Sequence, residues 1–260
     1  MFRSIRSPEV LLTTLAAAGI LMVTMGARQS LGLFVAPINE STSLGIVTIS
    51  LALAVGQFTW GAMQPVAGRY GPRAVLIGGL VVLAIGSALT PFMTSGIGLI
   101  VSLGLLSAMG AGAGSFSVLI GAAAQRMPLE ARGTASGVIN AGGSFGQFVF
   151  APIIQKLISL FGWMGAMWSL ALLTLTALPL VGKLTRPGAA APKHAEADAG
   201  LKNTVVGAMQ DRSYLLLHAG FFTCGFQLAF ITVHLPAYLV DRGIPASTGG
   251  WVIAAIGLFN

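Results

Sequence analysis

Long apolar runs follow one another along almost the whole chain, at about 10–37, 44–66, 74–94, 97–124, 133–160, 163–182, 214–240 and 247–260. A helix needs about 20 mostly apolar residues to cross the hydrocarbon core of a bilayer. The pattern predicts seven full crossings and an eighth cut short. Backbone groups in lipid must be satisfied within their own segment, so these runs are helices, and none alternates in character as a barrel strand does. Composition agrees: 55% of residues are apolar and 8% are charged, against roughly 25% charged in a soluble domain. That excludes both a soluble fold and a disordered chain. The expected class is an all-α polytopic membrane protein, with the lipid bilayer as its first partner.

Arg3 and Arg6 ahead of the run from Val10 imitate a secretory signal. The apolar pattern continues to Ile38, too far for a signal core, so the first span is read as uncleaved. The single cysteine, Cys224, leaves no internal disulfide and no cysteine-based metal site. No metal and no cofactor is expected.

Charge fixes orientation. With the N-terminus inside and the spans alternating, eleven of the 14 Lys and Arg residues fall in inside segments, among them Arg69, Arg73, Arg126, Arg132, Lys183 and Arg212. Arg242 lies outside, Lys156 lies near the outer end of the fifth span, and Arg28 lies within the first. Such asymmetry is the positive-inside pattern, and it places the N-terminus in the cytoplasm. The net charge of +7 is thereby a topological signal, and no nucleic-acid partner is expected.

Residues 183–213 are the one long hydrophilic stretch, rich in Pro, Ala and charge. They read as a cytoplasmic linker, with a short surface helix near Thr204–Gln210, between a six-helix bundle at 1–182 and the start of a second bundle at 214–260. A weak repeat crosses this linker. At an offset of 199, Thr24 meets Thr223, Gly26 meets Gly225, Pro37 meets Pro236, and Arg28 falls opposite Gln227. Six spans separate the copies, so both run in one direction, the plan of transporters built from two parallel repeats. On that plan the second copy stops in its second helix, and the chain is expected to be truncated at its C-terminus.

Arg28 is the sharpest chemical signal. It lies about eighteen residues into its span, where a charge costs about 2.5–3.5 kcal/mol on insertion scales. Arginine cannot shed its charge, and its fork suits a carboxylate. No Asp or Glu occupies the middle of any span, so an incoming organic anion is a candidate counter-charge. The alternatives are snorkelling to the outer interface and pairing with Glu40.

Amides accompany it. Ser50, Gln57, Gly61 and Gln64 share a face of the second span. Ser136, Asn140, Ser144 and Gln147 share one of the fifth, and Thr223, Gln227, His234 and Tyr238 one of the seventh. Such groups line an aqueous cavity or bond neighbouring helices. Arg28, Gln57, Asn140, Gln147, Gln227 and His234 are the candidate substrate-binding residues. His234 is also a candidate proton-coupling group. The pairs Gly133/Gly137 and Gly142/Gly146 predict close helix packing. No paired aspartates, metal-binding histidine pair or Ser/His dyad stands at usable spacing, so no enzyme is expected.

Gln64-Pro-Val-Ala-Gly-Arg69-Tyr-Gly-Pro-Arg73 closes the second span. It resembles the signature loop between the second and third helices of the major facilitator superfamily. Gly68, Arg69, Gly71 and Arg73 take the places of its conformational, gating loop. Gly68 stands where that family usually carries an acid, and Gln64 where it carries a glycine. Arg28-Gln-Ser-Leu-Gly-Leu-Phe-Val-Ala-Pro37, Arg132-Gly-Thr-Ala-Ser-Gly137, Gly142-Gly-Ser-Phe-Gly-Gln147 and Cys224-Gly-Phe-Gln227 look like the bacterial branch of monocarboxylate and oxalate/formate carriers. The resemblance implies a major facilitator fold: a six-helix N-terminal bundle plus the first one to two helices of a second. It also implies a carrier in a bacterial inner membrane, monomeric when full length, moving a small mono- or dicarboxylate by alternating access as antiporter or symporter. The alternative is a transport-incompetent fragment of such a carrier.

Overall fold

A computed structural model describes residues 7–67, 70–185 and 201–259. Helices make up its regular structure throughout. Span one opens with α1, Pro8–Gln29, whose Pro8 sits where a missing N–H costs nothing. The span then narrows through a 3-10 turn at Leu31–Phe34 before resuming as α2, Val35–Thr42. The second and third spans are α3, Ile46–Ala67, and α4, Pro72–Leu89. Span four is composite: α5 at Gly96–Leu99, a π-helical stretch at Ile100–Ser107, α6 at Ala108–Ala113 and α7 at Phe116–Ala124. Helix α8, Leu129–Leu175, runs on almost directly into α9, Leu178–Leu184.

Six helical stretches are long and apolar enough to cross a membrane, the longest being Leu129–Leu184 with 56 residues. A straight helix of that length would extend about 84 Å, far more than a bilayer. Gly162 divides it into two crossings with φ 68° and ψ 173°, a backbone region open essentially to glycine alone. The break falls between the fifth and sixth runs read from sequence. Beyond it, α10, Leu201–Gln210, lies in the hydrophilic stretch before the seventh apolar run. Helix α11, Arg212–Asp241, is the seventh crossing, and α12, Ala246–Phe259, is shorter than a full one.

Helix α1 is the hub. It packs most extensively on α8 and also touches α6, α7 and α9. The α1–α8 seam is tight because Gly142 and Gly146 leave no side chain between the backbones. A Cβ on Gly142 would meet the Ala18 carbonyl oxygen at 2.7 Å, and one on Gly146 would run into that of Met22. Gly133 and Gly137, nearer the start of α8, face no such neighbour. Close packing therefore explains one glycine pair and not the other. The outward surface is apolar, with Phe58, Ile97, Leu160 and Leu172 all exposed, as contact with lipid requires.

The two ends of α11 differ. Its C-terminal half packs on α2, on the Leu31–Phe34 turn and on α12, burying Thr232, Pro236 and Ala237. Phe221, Phe222 and Phe226 in its first half stay exposed. On the linker side of the bundle, the Arg126 guanidinium donates to Glu9 Oε1 at 3.0 Å and to the Lys183 carbonyl at 2.5 Å. That one side chain joins the start of α1, the α7–α8 loop and the end of α9.

Candidate functional site

The site is built around the interruption of span one. Arg28 and Gln29 occupy the last turn of α1, where a cation is favoured by the carbonyl end of the helix. Ser30 then donates its hydroxyl back to the Gly26 carbonyl at 2.8 Å. At the following turn Gly32 presses on α11, and a Cβ there would overlap the Thr232 carbonyl oxygen. The absence of a side chain at Gly32 is what lets the seventh crossing close on the first.

The Arg28 guanidinium is turned inward. It donates to Gln57 Oε1 on α3 and, at 3.5 Å, to Gln29 Oε1, and its central carbon lies 4.3 Å over the Trp60 ring. Neutral amides and an aromatic face satisfy this cation without a fixed negative charge. Among the described residues, the ion pair at Arg126 and Glu9 is the one found. Of the two alternatives, neither the pairing with Glu40 nor an outward, snorkelling orientation is found among the described residues.

From Arg28 a chain of donors crosses to α12. Gln29 Nε2 donates to Gln147 Oε1 at 3.5 Å, and Gln147 Nε2 donates to the Ile253 carbonyl of α12 at 3.3 Å. Gln147 is buried at 2% exposure, so these bonds replace water that it cannot reach.

A cavity of about 30 Å³ adjoins Arg28, lined by Gln57, Ser87, Ser107, Leu103, Leu170 and Thr232 among others. That is room for about two waters. Two buried polar atoms nearby lack a partner among the described residues: Trp60 Nε1 and Ser107 Oγ. These unpartnered groups lie beside a cation whose own partners are neutral.

The structure thus brings Arg28, Gln57 and Gln147 together, adding Gln29, Trp60 and Ser107. It sets the other candidates apart. Asn140 is exposed and lines a separate, open groove between α1, α8 and the end of α12, of about 710 Å³. Gln227 is exposed on α11. His234 is half-buried, its ring 5.0 Å from that of Phe230. In the loop after α3, Gly71 caps α4 in extended conformation and Arg73 lies in its first turn. Gly68 and Arg69 lie outside the described residues.

Trp60 had a signal in the sequence, three residues beyond Gln57 on the same helix face. Gln29 had only its adjacency to Arg28. Ser107 had none, because its place depends on the π-helical stretch in span four, and such bulges gather at functional sites.

A multi-pass helical membrane protein with a cation buried beside a helix interruption is the class that this fold and site define. The chain matches the model of the Major Facilitator Superfamily over residues 10–260, and it belongs to that family. It is 30% identical over 232 residues to monocarboxylate transporter 13 of Rattus norvegicus, covering 85% of this chain and 51% of that protein. Against monocarboxylate transporter 11 of Homo sapiens the identity is 29% over 248 residues, covering 92% of this chain and 51% of the relative. The chain therefore spans about half the length of the curated relatives it matches. Among solved structures, it resembles a bacterial homolog of the human lysosomal transporter Spinster in an inward-facing and unoccupied conformation. The TM-score is 0.68 at 15% identity, covering 96% of this chain and 60% of that one. A D-xylose–proton symporter matches with TM-score 0.57 at 18% identity, covering 96% and 64%. These likenesses concern the fold.

Proposed function

We propose that this chain binds a small organic anion at Arg28 and carries the binding half of a secondary transporter that moves mono- or dicarboxylates by alternating access. The observation that carries the proposal is the Arg28 guanidinium, turned inward onto neutral partners with no acidic residue beside it among the described residues. A buried cation is costly unless paired, and a travelling carboxylate supplies the missing charge with two parallel bonds. The printed names of the mammalian relatives, monocarboxylate transporters, are consistent with that substrate class.

In this reading Gln57 holds the guanidinium in the unloaded site and yields to the anion. Gln29 and Gln147 link the site to α12. The small cavity marks a closed arrangement, which must widen before a two- or three-carbon acid can enter. Asn140, Gln227 and His234 serve the same pathway away from the carboxylate, with His234 as the candidate proton-coupling group. The two bundles at 1–182 and 214–260, joined by residues 183–213, rock about the site. The loop holding Gly68, Arg69, Gly71 and Arg73 gates the inner face. The N-terminus is cytoplasmic in this reading, which the positive-inside charge distribution supports. In this reading the membrane is a bacterial inner membrane, a location that rests on the sequence resemblance alone. We treat the full carrier as a monomer.

The test is uptake of radiolabelled oxalate and acetate by proteoliposomes. Arg28→Gln abolishes carboxylate-dependent signal at unchanged abundance if the proposal holds. Wild-type uptake in that variant refutes it. A chain that binds both acids and transports neither is the transport-incompetent fragment.

A further inference from the structure

We infer that Trp60 is a second, direct contact for the anion: its ring face holds the Arg28 guanidinium while its Nε1–H waits for a carboxylate oxygen. The inference rests on the proposed reading of Arg28 as the anion site and adds a contact that reading does not require. Three observations carry it. The guanidinium carbon sits 4.3 Å over the ring, a cation–π geometry that uses the electron-rich face and leaves the ring edge free. Trp60 Nε1 is buried without an acceptor among the described residues, whereas Trp168 Nε1 donates to the Ala88 carbonyl at 3.2 Å. Buried indole N–H groups normally find a partner. Finally, Arg28 itself is spent on the neutral oxygens of Gln57 and Gln29, so donors outnumber anionic acceptors around this ring.

The geometry is complementary. An aromatic ring is negative on its face and positive at its edge. The cation occupies the face, so an anion beside it meets the edge, where the N–H points. A carboxylate bonded to an outer guanidinium nitrogen at about 2.8 Å lies within reach of an indole N–H of the same ring. One oxygen then accepts from Arg28 and the other from Trp60. A bound acid held this way is fixed in orientation, with its alkyl end directed away from the two donors.

The chain has four tryptophans, so ¹⁵N-tryptophan labelling of the 260-residue protein in nanodiscs gives four indole signals. Trp60→Phe assigns one by its loss, and Trp168 serves as the already bonded reference. Titration with sodium acetate is expected to move the Trp60 indole proton downfield saturably, and Arg28→Gln removes that shift. Trp60→Phe is expected to weaken acetate binding roughly 10- to 100-fold, the range for losing a hydrogen bond to a charged group. Where that variant does not fold, Trp163→Phe, Trp168→Phe and Trp251→Phe assign the other three signals, and the wild-type titration of the remaining one decides. Arg28-dependent binding with a stationary Trp60 signal overturns the Trp60 contact and leaves the anion site standing. Absence of Arg28-dependent binding overturns both.

Discussion

Gly32→Ala is the most informative single methyl that can be added to this protein. The new Cβ would overlap the Thr232 carbonyl oxygen and stand 3.0 Å from both Thr232 C and Val233 Cα. These are backbone atoms, so no side-chain rotation relieves the clash, and α11 must recede from span one by about 1 Å to regain ordinary contact. Overpacking of this kind costs about 1–3 kcal/mol. Local opening of the α1–α11 contact should then rise about 5- to 150-fold, at about 1.4 kcal/mol per factor of ten. Hydrogen–deuterium exchange of the α11 segment 232–238 reads that opening directly. The expected result is faster exchange there, with α4 unchanged. Gly78→Ala is the control, since a Cβ at Gly78 meets nothing within 4 Å. Equal exchange in the Gly32→Ala variant and the wild type would refute the claim that a missing side chain seats the seventh crossing on the first.

Three further substitutions probe other features. Gly162→Ala forces a side chain into the glycine-only backbone region and should destabilise the turn between the fifth and sixth crossings by about 1–3 kcal/mol, seen as lower thermal stability in detergent. Glu9→Gln breaks an ion pair whose carboxylate is 58% exposed. Solvent screening holds the loss below about 1 kcal/mol, and the melting temperature should move little. His234→Gln should alter the pH profile of uptake; an identical profile removes His234 from proton coupling.

The spans and their order were legible because hydrocarbon thickness and backbone satisfaction leave a helix as the single solution for each long apolar run. Even the fifth-to-sixth junction could be read, since the run breaks around Phe161-Gly-Trp163 and the turn sits at Gly162. The interruption of span one was not. It depends on a contact between Gly32 and Thr232, residues 200 positions apart, while the local sequence remains apolar. The π-helical stretch at Ile100–Ser107 was hidden for a similar reason, as α, π and 3-10 turns share the same composition.

For the site, Arg28 was legible from cost alone: a permanent charge deep in a span demands a reason. Its partners were legible only in kind. The polar faces of spans two and five supplied Gln57 and Gln147, yet the same rule nominated Asn140 and Gln227, which the fold places on other surfaces. Helical spacing gives the face of a residue and not the neighbour that face will meet.

Equilibrium binding of radiolabelled acetate and oxalate to the purified chain, compared across wild type, Arg28→Lys and Arg28→Gln, goes most directly to the centre of the account. A guanidinium that awaits a carboxylate predicts saturable binding in the wild type. It predicts weaker binding with lysine, which keeps the charge but loses the planar fork, and none with glutamine. Equal binding by all three would mean that the buried cation serves the fold alone.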